Sequence, residues 1–182
     1  MAFVKMTVKG MDGVNATLSG FAAPDLAISR AINKAVAKAK TETWAQVKST
    51  FPVKQSLLYK SIKLLKSNQS TLLGKMIAYN SKWSYVDVGG ARQLKAGVKV
   101  QPRRGGYKTS KDLFFKTGTK TILTRKKTGS GVEAVKTWSA AQMLDEPPGQ
   151  RDNILWRVQL AAATAYEKEL DRQIDLMMAK GK

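Results

Sequence analysis

Hydrophobic positions recur along this chain at two periods, and the long-period stretches lie at its two ends. After Pro24, the residues Ile28, Ile32, Ala35, Val36, Ala39, Thr43 and Val47 recur at three and four spacing. That spacing places them on one face of a helix, while Lys34, Lys38, Lys40 and Glu42 fall mostly elsewhere. Pro24 suits a first helical turn, Asp25 complements the positive end of the helix dipole, and Pro52 disfavours helix in the residue before it. The pattern predicts an amphipathic helix over residues 24–50 with an alanine-rich face that permits close helix approach. A second pattern of this kind closes the chain. Ile154, Val158, Ala161, Ala162, Ala165, Tyr166, Leu170, Ile174 and Met177 define one face, and a helix is predicted over about 152–179, with Asp152 near its start.

Between the helices the patterns are short and closer to period two. Residues 3–8 alternate weakly and read as a strand, and residues 13–19 admit a short helix. Residues 53–66 are ambiguous: 54–58 fits a helical turn and 61–66 a strand. Residues 71–79 read as a further strand, with Ser67-Asn68-Gln69-Ser70 as a hairpin turn and Gly74 as a bulge. Another short strand is expected at 84–88. Residues 89–111 have few apolar anchors and read as a long basic loop, with room for a short strand at Val98 and Val100. Leu113-Phe114-Phe115 resumes sheet character. Residues 119–126 and 132–138 flank Thr128-Gly129-Ser130-Gly131, which reads as a hairpin. Residues 139–144 fit a short helix stopped by Pro147-Pro148-Gly149. No internal repeat is present. The order predicts one α+β domain over residues 1–182, with strands and extended basic loops over about 60–138 and two long amphipathic helices packed on one antiparallel sheet.

Charge divides the chain in the same places. The 182 residues carry 32 Lys+Arg against 13 Asp+Glu, a net charge of +19, with neither His nor Cys. Residues 46–138 hold 20 of the basic residues and only three acids, Asp87, Asp112 and Glu133, so this half supplies +17 while the flanks nearly balance. A field of one sign concentrates a counter-charged partner, and a polyanion is the first to consider. Without cysteine there is no disulfide framework or thiolate zinc site, and without histidine no imidazole ligand or imidazole general base. No run approaches the roughly 18 apolar residues of a membrane span. The start of the chain lacks the apolar region of a signal peptide, so synthesis in a cytoplasm without an export signal is expected, and no membrane partner.

The side chains available for catalysis do not converge in sequence. The three acids of the basic half are isolated, and Asp145-Glu146 are adjacent, which does not aim both at one site. A two-metal nuclease needs several carboxylates. Gly89-Gly90 and Gly105-Gly106 lack the following Gly-Lys-Ser/Thr of a phosphate-binding loop, and no Ser-x-x-Lys or Gly-x-Ser-x-Gly array occurs. No cofactor, metal or catalytic residue is expected. The basic residues form two groups. Arg92, Lys95, Lys99, Arg103, Arg104, Lys108 and Lys111 lie in the long loop, and Arg125, Lys126 and Lys127 lie at the expected hairpin tip. These are the candidate contacts to DNA, a lumen or a partner, with Tyr107 and Trp83 as candidates for stacking on bases. The bland alternative is a set of solvated loops, or loops that pair with an acidic neighbouring subunit. No recognition-helix pattern accompanies the charge. Trp44, Trp83, Trp138 and Trp156 fit core or interface positions; Trp156 falls off the helical stripe and is the better subunit contact.

Several segments resemble the phage minor tail protein Z family, also found in prophages. Ala31-Ile32-Asn33-Lys34-Ala35 is similar to the family's Ala-Ile-Asn-Arg-Ala type of stretch. Thr50-Phe51-Pro52-Val53-Lys54-Gln55-Ser56-Leu57-Leu58 follows, as in a family that moves from helix to a short "Val-x-x-x-x-Leu" segment. The most specific likeness is Gly90-Ala91-Arg92-Gln93-Leu94-Lys95-Ala96-Gly97-Val98-Lys99-Val100, similar to an Ala-Arg-Gln-x-Lys-x-Gly-Val segment. Leu113-Phe114-Phe115 sits where the family has an apolar triplet. The family's Gly-Pro-Ser motif before the last helix is replaced here by Trp138-Ser139-Ala140-Ala141-Gln142-Met143. The resemblance implies a virion structural protein for tail completion at the head-proximal end of a phage tail. It implies a homo-oligomeric ring, commonly a hexamer, in contact with other tail or neck proteins, and no chemistry or cofactor. Basic loops of such a ring are expected to meet passing DNA, and the alanine-rich helix faces to form packing or subunit seams. The competing expectation is a non-specific nucleic-acid-binding accessory protein; a metal-dependent nuclease using Asp87, Asp112 and Glu133 is a third.

Overall fold

The structure, a computed structural model, describes residues 4–9, 24–88, 90–116, 119, 121–125, 131–146 and 153–180. The short helix expected at 13–19 and most of the turn expected at 128–131 lie outside these residues. In chain order the described elements are β1 (Val4–Lys9), α1 (Pro24–Thr50), α2 (Gln55–Lys60), β2 (Ile62–Leu65), β3 (Leu73–Ala78), β4 (Lys82–Ser84), β5 (Ala91–Leu94), β6 (Gly97–Arg103), β7 (Gly106–Ser110), β8 (Leu113–Phe115), β9 (Ile122–Arg125), β10 (Val132–Ala134), β11 (Lys136–Ser139), α3 (Ala140–Leu144) and α4 (Ile154–Lys180). The fold class is α+β, with both long helices where the periodicity predicts them.

Helix α1 is the middle layer of the main body. Its apolar residues come in adjacent pairs, Ala27/Ile28, Ala31/Ile32 and Ala35/Val36, all buried. Repeating every fourth residue, the pairs widen the stripe enough to cover two neighbours. One neighbour is the antiparallel sheet β1-β3-β2, with β3 at its centre. Along β3 the buried positions are Gly74, Met76 and Ala78. The register runs unbroken through Gly74, paired with Val8, so there is no bulge. The glycine serves close approach instead: a Cβ there would lie 2.6 Å from Ile32 Cγ2 and 2.7 Å from Val36 Cγ2. Asn33 ties the same layers together, since its Nδ2 donates to Ser67 O at 3.0 Å and its Oδ1 accepts from Ser67 N at 2.8 Å.

The other neighbour of α1 is α4. Arg30 Nη1 donates to Gln173 Oε1 at 3.2 Å near one end, and Arg157 Nη1 donates to Gln46 Oε1 at 3.4 Å near the other, so the two helices run antiparallel. The expectation that both helices lie on one sheet is therefore corrected. α4 stacks on α1, and the described strands make four small antiparallel sheets. The reason is that α1 is buried on both sides, which leaves α4 no route to the strands except at the ends. The chain returns to α4 through β11, which pairs with β4, and through α3, which starts with a capping box. The Gln142 backbone N–H donates to Ser139 Oγ, and the Ser139 N–H donates to Gln142 Oε1.

The second correction concerns residues 89–111. From residue 90 on they are not a loop: β5, β6 and β7 form an antiparallel meander with turns at Lys95-Ala96 and Arg104-Gly105. Gly105 has φ +77° and serves the tight turn. Val98 and Val100 are buried beneath the meander, against Ile122 and the half-buried Tyr85, Val86, Leu113, Phe115 and Val135. This small core is separate from the main one. It is covered on its far side by the sheet β10-β9-β8, in which β9 pairs with β10 as the hairpin pattern predicts. The strand expected at 84–88 is mostly turn. β4 stops at Ser84, whose hydroxyl accepts from the Val86 N–H at 3.2 Å, and Val88 N donates back to Ser84 O.

Candidate polyanion-contact surface

Strand register sorts the basic residues onto distinct surfaces. Arg92 on β5 pairs with Lys99 on β6, which pairs with Thr109 on β7. Cross-strand partners share a face, so these three lie on the side of the meander opposite Val98 and Val100. Lys99 Nζ sits 4.0 Å from the centre of the Tyr107 ring, and Tyr107 is 58% exposed. Arg92, Leu94, Lys99, Gln101 and Tyr107, with Gly90 and Ala91, line a shallow groove of about 270 Å³. Gly90 permits the close strand approach that shapes its floor, since a Cβ there would meet Gln101 O at 2.9 Å.

Lys95 and Lys111 occupy neighbouring turns at one end of the meander. Lys95 occupies the β5–β6 turn and Lys111 the β7–β8 turn. The two turns adjoin because Gly97 (φ +127°) lies against Ser110, where a Cβ would come within 2.2 Å of the Ser110 carbonyl oxygen. Both lysines are exposed, as are Lys108 on the edge strand β7 and Arg125 at the end of β9. None of Lys95, Lys108, Lys111, Arg125 or Arg92 forms an ion pair among the described residues. Lys126 and Lys127 lie outside the described residues.

Arg103 and Arg104, exposed as well, make structural contacts in addition. They stand at the other end of β6, about 20 Å from the Lys95 turn at the rise of a β-strand. Arg103 pairs with the buried Glu146 carboxylate and lies over Trp138, 5.9 Å from the ring centre. Arg104 donates from its backbone N–H to Thr50 O at 2.8 Å and from Nε to Phe51 O at 3.3 Å. It thereby satisfies carbonyls left open at the C-terminus of α1. The pair anchors the meander to the main body. Trp83 is likewise structural: it is 8% exposed and its indole N–H donates to Ser61 Oγ at 3.2 Å, so it is no platform for a base.

The acids of the basic half sit on separate elements, Asp87 in the turn after β4, Asp112 in the turn before β8 and Glu133 on β10. Among the described residues no group of three or more acidic side chains is placed to hold a metal ion. Sequence reading missed Gln101 and Glu146. Gln101 had a usable signal, since it continues the alternation Lys99, Gln101 opposite Val98, Val100. Glu146 had none, because its partner lies 43 residues away.

A second groove, of about 520 Å³, runs between α1 and α4, with Lys38, Gln46, Arg157 and Lys168 around Leu160, Ala161 and Ala165. Trp156 and Leu160 remain 46% and 53% exposed on α4, as the off-stripe position of Trp156 predicts. No described helix is long and apolar enough to cross a membrane. No protein-family model, curated protein or solved structure matches this chain.

Proposed function

We propose that this chain is a structural subunit of a phage tail, a tail-completion or connector protein that forms a ring at the head-proximal end and helps join tail to head. The observation that carries the reading is the segment from Gly90 to Val100, where the likeness to the minor tail protein Z family is most specific. It forms the β5–β6 hairpin that presents Arg92, Lys95 and Lys99. A family-like segment and part of the exposed basic surface are thus the same piece of structure. The subunit's work is to fit a symmetric assembly and to offer cations to passing DNA, with Lys95, Lys108, Lys111 and Arg125 as the contacts. Its place is the virion tail or neck, and the host cytoplasm during assembly. No catalytic step or cofactor belongs to this reading.

The test is native mass measurement on the purified chain, together with a search for it in intact virions. A ring mass and presence in particles are expected. A chain that stays monomeric at high concentration and is missing from particles overturns the reading. The unpaired lysines and exposed Tyr107 also favour a second reading, a free-standing nucleic-acid-binding accessory protein. That protein binds free DNA tightly, and its affinity falls steeply with salt. A tail subunit binds weakly outside the particle, so DNA titrations at two salt concentrations separate the readings.

A further inference from the structure

The two ends of the helical pair carry opposite surfaces. The meander is tied by Arg103 and Arg104 to the end where α1 finishes and α4 begins. Its open face offers Arg92, Lys99 and the exposed Tyr107 around a groove. Towards the other end, residues 167–178 of α4 hold four acids against two bases. Glu169 is engaged by Arg172 and Gln173. Glu167, Asp171 and Asp175 are exposed, and their carboxylates form neither ion pair nor hydrogen bond among the described residues. At helical spacing they share the outer side of α4 with Met178, which is 48% exposed. Asp171 is about 25 Å along the helix from Ile154 at the rise of an α-helix, so one chain's stripe is far from its own meander.

We infer that the open face of the meander docks the outer, C-terminal half of α4 from a second copy of this chain, head to tail. Arg92 and Lys99 meet the acids of the neighbour, and Tyr107 packs beside its Met178. This rests on the ring reading above and names the surfaces of the ring contact. Charge complementarity selects the occupant. Meander against meander brings cation to cation, a juxtaposition that disfavours that pairing. The acidic half of α4 is the chain's own complement, and Tyr and Arg are the side chains enriched at protein interfaces. Because the two surfaces differ and lie apart on one protomer, the contact is heterologous, the kind that builds a closed ring when the rotation closes. The cations at Lys95 and Lys111 stay outside it, available to DNA.

Two neutralised full-length variants test this, Arg92→Ala with Lys99→Ala, and Asp171→Asn with Asp175→Asn. All four positions are surface or half-buried and circular dichroism checks folding. Each variant alone is expected to need at least about a 10-fold higher concentration to assemble, the equivalent of about 1.4 kcal/mol per contact. Mixed in equal amounts, they retain one intact contact, between the meander of the second and α4 of the first, and should stop at a heterodimer in native mass spectrometry. Wild-type assembly by either variant, or a mixture with no heterodimer, overturns the inference. If a variant fails to fold, Lys99→Gln with Asp171→Asn in the same comparison gives the same readout. A wild-type ring that ignores these substitutions sinks the docking surface and leaves the ring reading standing; a wild-type monomer that is also missing from virions sinks both.

Discussion

Gly74 shows how a single missing side chain sets the spacing of two layers. Its neighbours, Ile32 and Val36, are β-branched residues in a helix and have little rotamer freedom with which to yield. Gly74→Ala is expected to destabilise the protein by about 1–3 kcal/mol through overpacking, measured by chemical denaturation. Glu169 gives a pH signature. The Arg172 guanidinium beside it holds its carboxyl down to about 2, from an ordinary value of 4.5, with help from Gln173 and the charges of Arg172 and Lys34 against a smaller opposing effect of burial. The folded pKa lies below the unfolded one, so the stabilisation is full above about 4.5 and is lost as pH falls towards 2. Glu169→Gln should therefore lower Tm at neutral pH and flatten the dependence of Tm on pH across that acid window. Single-residue roles were the least legible in the sequence. Arg103 and Arg104 look identical to Lys108 as charges, yet one arginine holds Glu146 and the other caps α1. Those partners are remote in sequence, and nothing local announces them.

At the level of elements, legibility followed burial on one face. Both long helices were readable because their buried residues keep a single stripe, and the seven positions from Ile28 to Val47 that define the first stripe are all buried. The meander was not readable because only Val98 and Val100 mark its inner face. Its cations occupy the outer face, the turns and an edge strand, where any polar residue would fit. The same sorting makes a prediction about binding. Replacing Lys95 and Lys111 by Ala should lower the salt slope of DNA binding by about 2, near one unit for each phosphate no longer neutralised. Arg103→Ala should leave that slope unchanged and instead cost about 1–2 kcal/mol of stability, since Glu146 loses its partner in a buried position. Equal slopes for the two variants would contradict the assignment of surfaces made above.

The whole molecule is a helical pair with a sheet on one side and a second, smaller packed unit at one end. The class was legible from the order of periods, whereas the division into four sheets was not. The paired apolar positions of α1 record its two-sided burial only as a widened stripe, and no sequence pattern records that β11 leaves β10 after one residue to join β4. The two separate hydrophobic cores carry a consequence for how the protein opens. Segments with their own few apolar contacts unfold locally with less free energy than the global transition requires. In amide hydrogen exchange, β6 and β9 should therefore lose protection together and earlier than α1 and α4. Gly97→Ala places a methyl group against the Ser110 carbonyl, and it should accelerate exchange in the meander alone. The anchor at Arg104 then acts as a hinge line between a slow-exchanging body and a fast-exchanging head, so in the proposed assembly the docking surface can refit while the helical pair stays closed.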